Sequence, residues 1–227
     1  MKLKEHYNKL YEESIQKIKN DQYQIDDLID SNEDNRYGVT LLIRPDKNAQ
    51  NKIQQFLDEL RVVEPKQYFY PNTDIHVTVM SIISCYEGFD LSQIVIDDYI
   101  KVISKSIENC SPFDITFKGL TASPSCIMLQ GFLEDEMLNN IRENLRKQFQ
   151  NADLEQSIDK RYAIQTAHST IFRLRDQLAN KEELLSIIEK YRDFDFGTFT
   201  VDKLEFVYND WYQRDDRVTK LHEFKLN

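Results

Sequence analysis

The 227-residue sequence contains no run of the roughly 18 consecutive apolar residues that a membrane-spanning helix needs. Its first residues, MKLKEHYNKLYEES, are charged where a secretory signal peptide would be apolar. Hydrophobic residues make up 41% of the chain, which is enough for an ordinary buried core. These features predict a soluble, cytoplasmic protein that has no membrane partner.

Cysteine, glycine and proline are all scarce. Cys85, Cys110 and Cys126 are odd in number and lack C-x-x-C spacing, so we interpret them as reduced packing residues and not as a disulfide or zinc site. With only five glycines and five prolines, no stretch resembles a flexible linker between domains.

Positive charge is in deficit, because 29 lysines and arginines face 39 acidic residues and give a formal charge of -10. Binding to a long phosphate backbone requires a basic stripe that displaces counterions, so this balance argues against long nucleic acid as a partner. A small anion in a locally positive cleft remains compatible with it.

The pattern of apolar residues divides the chain in two. In residues 1–35, apolar positions at helical spacing among Lys, Glu and Gln predict a helical extension. This extension either packs on the main domain or offers a surface to a partner. In residues 36–227 strands alternate with helices, and we expect one domain of two lobes there, since either half alone would leave one face of a sheet unburied.

One unit, a strand and a helix followed by a strand that carries H-x-T, occurs twice. The first copy reads YGVTLLI, NAQNKIQQFLDELRVV and IHVTVMSII, and the second reads SCIMLQGFL, EDEMLNNIRENLRKQF and AHSTIFRL. The last segments, FTVDKLEFVYNDWY and TKLHEFKLN, are predicted to be the two strands of a terminal hairpin. The repeat predicts an α+β fold with internal pseudo-symmetry, in which antiparallel or mixed sheets carry helices on their outer faces.

The two tripeptides, His76-Val77-Thr78 and His168-Ser169-Thr170, are the candidate site. Residues i and i+2 of a strand point to the same side, so each His shares a face with its Thr. Two imidazoles can exchange protons with the attacking and leaving oxygens of a phosphodiester, while the hydroxyls bind the non-bridging oxygens. A single H-x-T would be unremarkable, but a pair in matching contexts indicates catalysis without a metal.

The segments HVTV and HSTI resemble the paired H-x-[ST]-x signature of the two-histidine (2H) phosphoesterase superfamily. The bacterial 2'-5' RNA ligase-like and cyclic phosphodiesterase branches are the most similar. The resemblance implies a bilobal, pseudo-symmetric α+β fold that hydrolyses cyclic phosphates or 2'-5' linkages in a central cleft, without metal or cofactor. It further implies that His76 and His168 are the acid and base and that Thr78 and Thr170 bind phosphate.

Three more residues are candidates for substrate binding. Arg173 follows the second tripeptide, where superfamily members often carry Arg. It is either a phosphate ligand or an ordinary salt-bridge former, since strand alternation places it opposite His168 and Thr170. Tyr37 and Tyr208 either stack on a base or ribose or pack in the core.

The remaining histidines and the tryptophan are assigned structural roles. We expect His6 on the first helix and His222 in the last strand to be surface or structural residues. Trp211 is expected to close the end of the terminal hairpin.

Two functions stay open at this point. The first is hydrolysis of a cyclic phosphate, such as a 2',3'-cyclic phosphate or a related cyclic nucleotide, or of a 2'-5' phosphodiester in a small nucleotide or at a short RNA end. The second is a sensor or sequestering protein that binds a nucleotide or cyclic oligonucleotide in the same cleft without turnover. Ligation of RNA ends is disfavoured, because the acidic chain would have to hold a large polyanion.

Overall fold

The computed structural model describes residues 3–227, which form five α-helices and nine β-strands. The helices are α1 (Leu3–Lys19), α2 (Lys47–Val63), α3 (Ile96–Ile107), α4 (Met137–Gln150) and α5 (Lys181–Lys190). The strands are β1 (Arg36–Ile43), β2 (Tyr68–Phe69), β3 (Val77–Glu87), β4 (Phe113–Ser123), β5 (Cys126–Phe132), β6 (Ser169–Arg173), β7 (Asp195–Val201), β8 (Lys203–Asp210) and β9 (Thr219–Lys225). None of these helices has the length and hydropathy needed to cross a membrane.

The strands form two antiparallel sheets that repeat one arrangement. The first sheet has the order β3-β1-β8-β9, and the second has the order β2-β6-β5-β4-β7. In both sheets a helix joins two neighbouring antiparallel strands, β1 to β3 through α2 and β5 to β6 through α4. The second strand of each pair follows a histidine of an H-x-T tripeptide. The predicted α+β class and its internal pseudo-symmetry are therefore confirmed.

Each of these two helices joins two strands of one sheet but packs on the lobe that contains the other sheet. The helix α2 joins strands of the first sheet but packs on β7 and α5, whereas α4 joins strands of the second sheet but packs on β3 and α3. The apolar stripe of α2 includes Ile53, Phe56 and Leu57, all fully buried at helical spacing. As a result the buried apolar residues of both lobes form one contiguous core.

The helix α1 lies on β4 of the second sheet. Its apolar side is buried, and two polar contacts fix it: the Ser14 hydroxyl donates to the Ala122 carbonyl at 2.9 Å, and the Thr121 hydroxyl donates to the Tyr7 carbonyl at 3.0 Å. Residues 1 and 2 of the predicted extension lie outside the described residues. The division into an extension and one main domain stays a prediction.

The segment FTVDKLEFVYNDWY forms two strands and not the single strand predicted from the sequence. The strand β7 ends at Val201 in the second sheet, and β8 begins at Lys203 in the first sheet, so the chain changes sheets at Asp202. Apolar residues alternate in both strands, and periodicity alone therefore gives no sign of the crossing. The terminal hairpin consists of β8 and β9.

Candidate active site

The structure brings the two H-x-T tripeptides, which lead into strands of different sheets, to one cleft. His76 and His168 lie immediately before β3 and β6, and both line the cleft together with Thr78 and Thr170. The intervening Val77 and Ser169 are buried behind them. Residues i and i+2 thus share a face at both places, and two imidazoles and two hydroxyls meet at one concave surface.

His76 is oriented by the main chain. Its Nδ1 lies 2.7 Å from the carbonyl oxygen of Asp74, which can only accept a hydrogen bond. In the neutral ring Nδ1 therefore carries the proton and Nε2 carries the lone pair. Asp74 is itself held in place, because its carboxylate accepts hydrogen bonds from the Thr73 hydroxyl and from the Asp215 main-chain N–H.

His168 has a different orienting partner. Its Nδ1 lies 2.6 Å from the hydroxyl oxygen of Thr166, which is able to donate or to accept. The protonated nitrogen of His168 therefore depends on the rotation of one hydroxyl, whereas that of His76 is fixed by a carbonyl. The two histidines are equivalent in topology but not in their hydrogen bonding.

Both imidazoles are held neutral in the free protein. Burial lowers the pKa of His76 to about 3, and the positive charge of Arg44 and the neighbouring His168 add to the effect. Burial also lowers the pKa of His168 to about 4, with further contributions from Arg142 and His6. Since His168 is among the groups that act on His76, the two rings interact electrostatically across the cleft.

Arg142 on α4 links the two tripeptides through their main chains. Its Nε donates to the Val79 carbonyl at 3.0 Å, and its Nη2 donates to the carbonyls of Thr78 at 2.9 Å and Thr166 at 2.8 Å. Its side chain is almost fully buried at 1% exposure, and burial lowers its pKa to about 10, so it remains charged at neutral pH. One guanidinium therefore sets the spacing between the strand of His76 and the approach to His168.

Gly131 allows the chain to pass close to the second tripeptide. A Cβ atom on this residue would lie 2.0 Å from the carbonyl oxygen of Ala167, a separation that no side chain tolerates. The absence of a side chain lets β5 contact the residue immediately before His168. The position of His168 is thus set by backbone packing as well as by hydrogen bonds.

The strand β6 contains a bulge that decides where Arg173 points. In its pairing with β5 the register shifts so that Ile171 is an extra residue, and Ile171 and Phe172 are both buried. Thr170 and Arg173 consequently both line the cleft. The expectation that strand alternation places Arg173 opposite Thr170 is wrong, because it did not allow for the extra residue.

Arg173 is held firmly in the cleft wall. Its Nε donates to the Tyr70 hydroxyl at 2.9 Å, and its Nη1 forms an ion pair with Asp26 at 3.2 Å. Its guanidinium also lies 5.3 Å from the ring centroid of Tyr212. Arg161 and Asp159 also line the cleft, so its wall carries charges of both signs.

Tyr37 and Tyr208 are not among the residues that line the cleft. Their rings stack on each other with centroids 4.8 Å apart, and both pack against the hydrophobic core. Trp211, which was expected only to close the hairpin, does line the cleft, and its ring lies 4.3 Å from the Arg161 guanidinium and 4.7 Å from that of Arg36.

Sequence reasoning missed Arg142, although the sequence contains a signal for it. Leu138, Ile141, Leu145 and Phe149 form the buried stripe of α4, and position 142 lies within that stripe, four residues after Leu138 and three before Leu145. An arginine in an apolar stripe has to find buried acceptors. Within the part of the chain that the structure describes, no group of three or more His, Cys, Asp or Glu side chains is arranged to hold a metal ion.

Comparison with known proteins gives a family match and several similar structures. The sequence model of the AKAP7 2'5' RNA ligase-like domain matches residues 43–216. No curated protein matches the chain.

The similar solved structures share the fold at low sequence identity. TT0787 of Thermus thermophilus is 14% identical, with a TM-score of 0.62 over 83% of this chain and 97% of that chain. E. coli LigT, crystallised with 3'-AMP, is 11% identical, with a TM-score of 0.56 over 85% of this chain and 99% of that one. ATU0111 from Agrobacterium tumefaciens is 14% identical, with a TM-score of 0.53 over 91% and 97% of the respective chains.

Replacing Arg142 by Met should destabilise the protein, because two buried carbonyls and one partly buried carbonyl would lose this donor. An unsatisfied buried acceptor costs about 1–3 kcal/mol, so we expect the free energy of unfolding to fall by at least about 2 kcal/mol. Urea denaturation measures this change. Lys147→Met removes an exposed charge from the same helix and should have little effect on stability. Equal stability of the two variants would contradict a stabilising role for the Arg142 hydrogen bonds.

The lowered histidine pKa values predict that stability falls as the pH drops. Unfolded histidine titrates near 6.5, so between about pH 6.5 and pH 4 the unfolded chain binds more protons than the folded chain. The melting temperature of the wild type should therefore drop between pH 7 and pH 5 by more than that of the double variant His76→Gln/His168→Gln. Parallel curves for the two proteins would contradict the buried, neutral state of these imidazoles.

Proposed function

The chain belongs to the AKAP7 2'5' RNA ligase-like domain family, in the LigT-like branch of the 2H phosphoesterase superfamily, and from that premise we propose that it is a metal-independent phosphodiesterase. Its proposed substrate is a cyclic phosphate or a 2'-5' phosphodiester in a small nucleotide or at a short RNA end. Membership of this superfamily supports phosphodiester chemistry, and the finer assignments rest on the cleft.

The observation that carries the proposal is the convergence of His76, Thr78, His168 and Thr170 on one cleft. The reaction needs one group that takes a proton from the attacking water and another that gives a proton to the leaving oxygen. Two imidazoles in the wall of one cleft are suited to these two tasks. Two hydroxyls beside them are suited to bind the non-bridging oxygens of the same phosphate.

In the proposed reaction a water oxygen attacks phosphorus as the bond from phosphorus to the leaving oxygen breaks. One neutral imidazole takes the proton of the water, and the other, protonated imidazole donates its proton to the leaving oxygen. The Nε2 lone pair of His76 suits it to the role of base, since the Asp74 carbonyl holds the proton on Nδ1. His168 is then the acid, and the two exchange roles in the reverse direction.

The mechanism requires one protonated imidazole, and binding of the negatively charged substrate favours that protonation. Both imidazoles have lowered pKa values, so neither is protonated at neutral pH before binding. A phosphodiester anion in the cleft would raise both pKa values and favour a proton on one ring. Arg173 has five N–H donors and uses two of them on Tyr70 and Asp26, and we assign the guanidinium a role in attracting the phosphate.

Small nucleotides are the proposed ligands. E. coli LigT, which shares the fold, has been crystallised with 3'-AMP, with ATP and with NADP+. The acidic net charge of this chain argues against a long polyanion, whereas Arg161 and Arg173 in the cleft wall are suited to a small anion.

Turnover in the presence of EDTA tests the proposal, with 2',3'-cyclic mononucleotides and 2'-5' dinucleotides as substrates. His76→Ala and His168→Ala should each lower the rate by roughly 10² to 10⁴. His222→Ala removes an exposed imidazole from β9 and serves as the matched control with unchanged rate.

Two outcomes would overturn this account. Undiminished turnover in both single variants would place the chemistry elsewhere. Tight nucleotide binding by the wild type without product after long incubation would instead favour a sensor or sequestering protein that uses the same cleft.

A further inference from the structure

The cleft is small for the substrates proposed above. Its volume is about 180 Å³, whereas small-molecule sites usually span about 300–1,000 Å³. A phosphate group bound beside the two histidines occupies part of this space. The organic group on the phosphate therefore needs additional room close to the histidines.

A second cavity of about 320 Å³ lies beside the cleft on the His168 side. Three residues, Tyr162, Ile164 and His168, form part of the wall of both spaces. A phosphate bound at His168 would consequently lie at the boundary between them. The two spaces adjoin at these three side chains, so the substituent on an ester oxygen of such a phosphate would lie next to the second cavity.

The walls of the second cavity suit a flat, largely apolar group. Leu10, Met128 and Ile164 supply apolar surface, and Tyr162 supplies an aromatic ring that is 64% exposed and therefore accessible for stacking. His6 and Gln165 add polar groups at the margin. Apolar and aromatic walls with a few polar atoms are typical of sites that bind planar rings such as nucleobases.

One wall of this cavity comes from α1, which precedes the residues 43–216 matched by the family. The helix is fixed there by its own contacts, including the hydrogen bond from the Tyr7 hydroxyl to the Gly131 carbonyl at 3.2 Å. His6 lies close enough for its charge to act on His168. The helix therefore adds a surface to the site that the matched region does not contain.

We propose that this second cavity binds the planar base of the nucleotide whose phosphate lies at His168, with Leu10 of α1 and Tyr162 as its main contacts. The inference rests on the proposed function for the position of the phosphate. It gives the N-terminal helix a role in substrate selection.

Calorimetry with two probes, 3'-AMP and inorganic phosphate, distinguishes binding in the second cavity from binding in the cleft. Leu10→Phe adds a ring to the cavity and should weaken 3'-AMP binding by at least about ten-fold, as expected when an apolar pocket loses room. Phosphate binding should be unchanged, because the cleft itself is untouched. Val62→Phe places the same ring on an exposed position of α2 and should alter neither affinity.

Tyr162→Ala gives a second variant in case Leu10→Phe disturbs the fold. This side chain is mostly exposed, so its loss should leave the melting temperature unchanged while weakening 3'-AMP binding. Equal loss of affinity for both probes, unchanged 3'-AMP binding in both variants, or no 3'-AMP binding by the wild type would each overturn the proposal. Absence of turnover with normal 3'-AMP binding would refute the proposed function alone and leave the cavity assignment standing.

Discussion

The buried guanidinium of Arg142 donates hydrogen bonds to the main chain on both sides of the cleft, and the geometry of the site depends on this contact. The two H-x-T tripeptides are 92 positions apart and belong to different sheets, so no local structure relates them. Arg142 is placed between them because α4 packs on the lobe opposite to the one whose strands it connects. The packing of α4 on the opposite lobe therefore places the arginine that holds the two histidine-bearing segments together.

The same burial that orders the imidazoles also sets their charge. Both rings are buried in the cleft wall and subject to the positive charges of Arg44, Arg142 and Arg173, so both are neutral in the free protein. Under the proposed function, Arg161 and Arg173 in the cleft wall attract a small phosphate ester, and the cleft gains its general acid only when that ester binds. The difference between the carbonyl partner of His76 and the hydroxyl partner of His168 then breaks the symmetry of the pair.

Much of the fold and the four central side chains could be predicted because they depend on local patterns. Strand periodicity places His76 with Thr78 and His168 with Thr170, and the repeated unit predicts pseudo-symmetry. The bulge at Ile171, the crossing between sheets at Asp202 and the position of Trp211 could not be predicted, because each depends on pairing with distant segments. The cavity formed by α1 likewise depends on the docking of a helix, which amphipathicity suggests but does not locate.

The central claim is that two distant imidazoles bind one phosphate together. It is tested most directly by nuclear magnetic resonance of the histidine side chains during titration with inorganic phosphate. The account predicts that the resonances of His76 and His168 shift together, with one dissociation constant, a stoichiometry of one phosphate per chain and raised pKa values for both rings. A shift confined to one of the two histidines, or two independent binding curves, would contradict it.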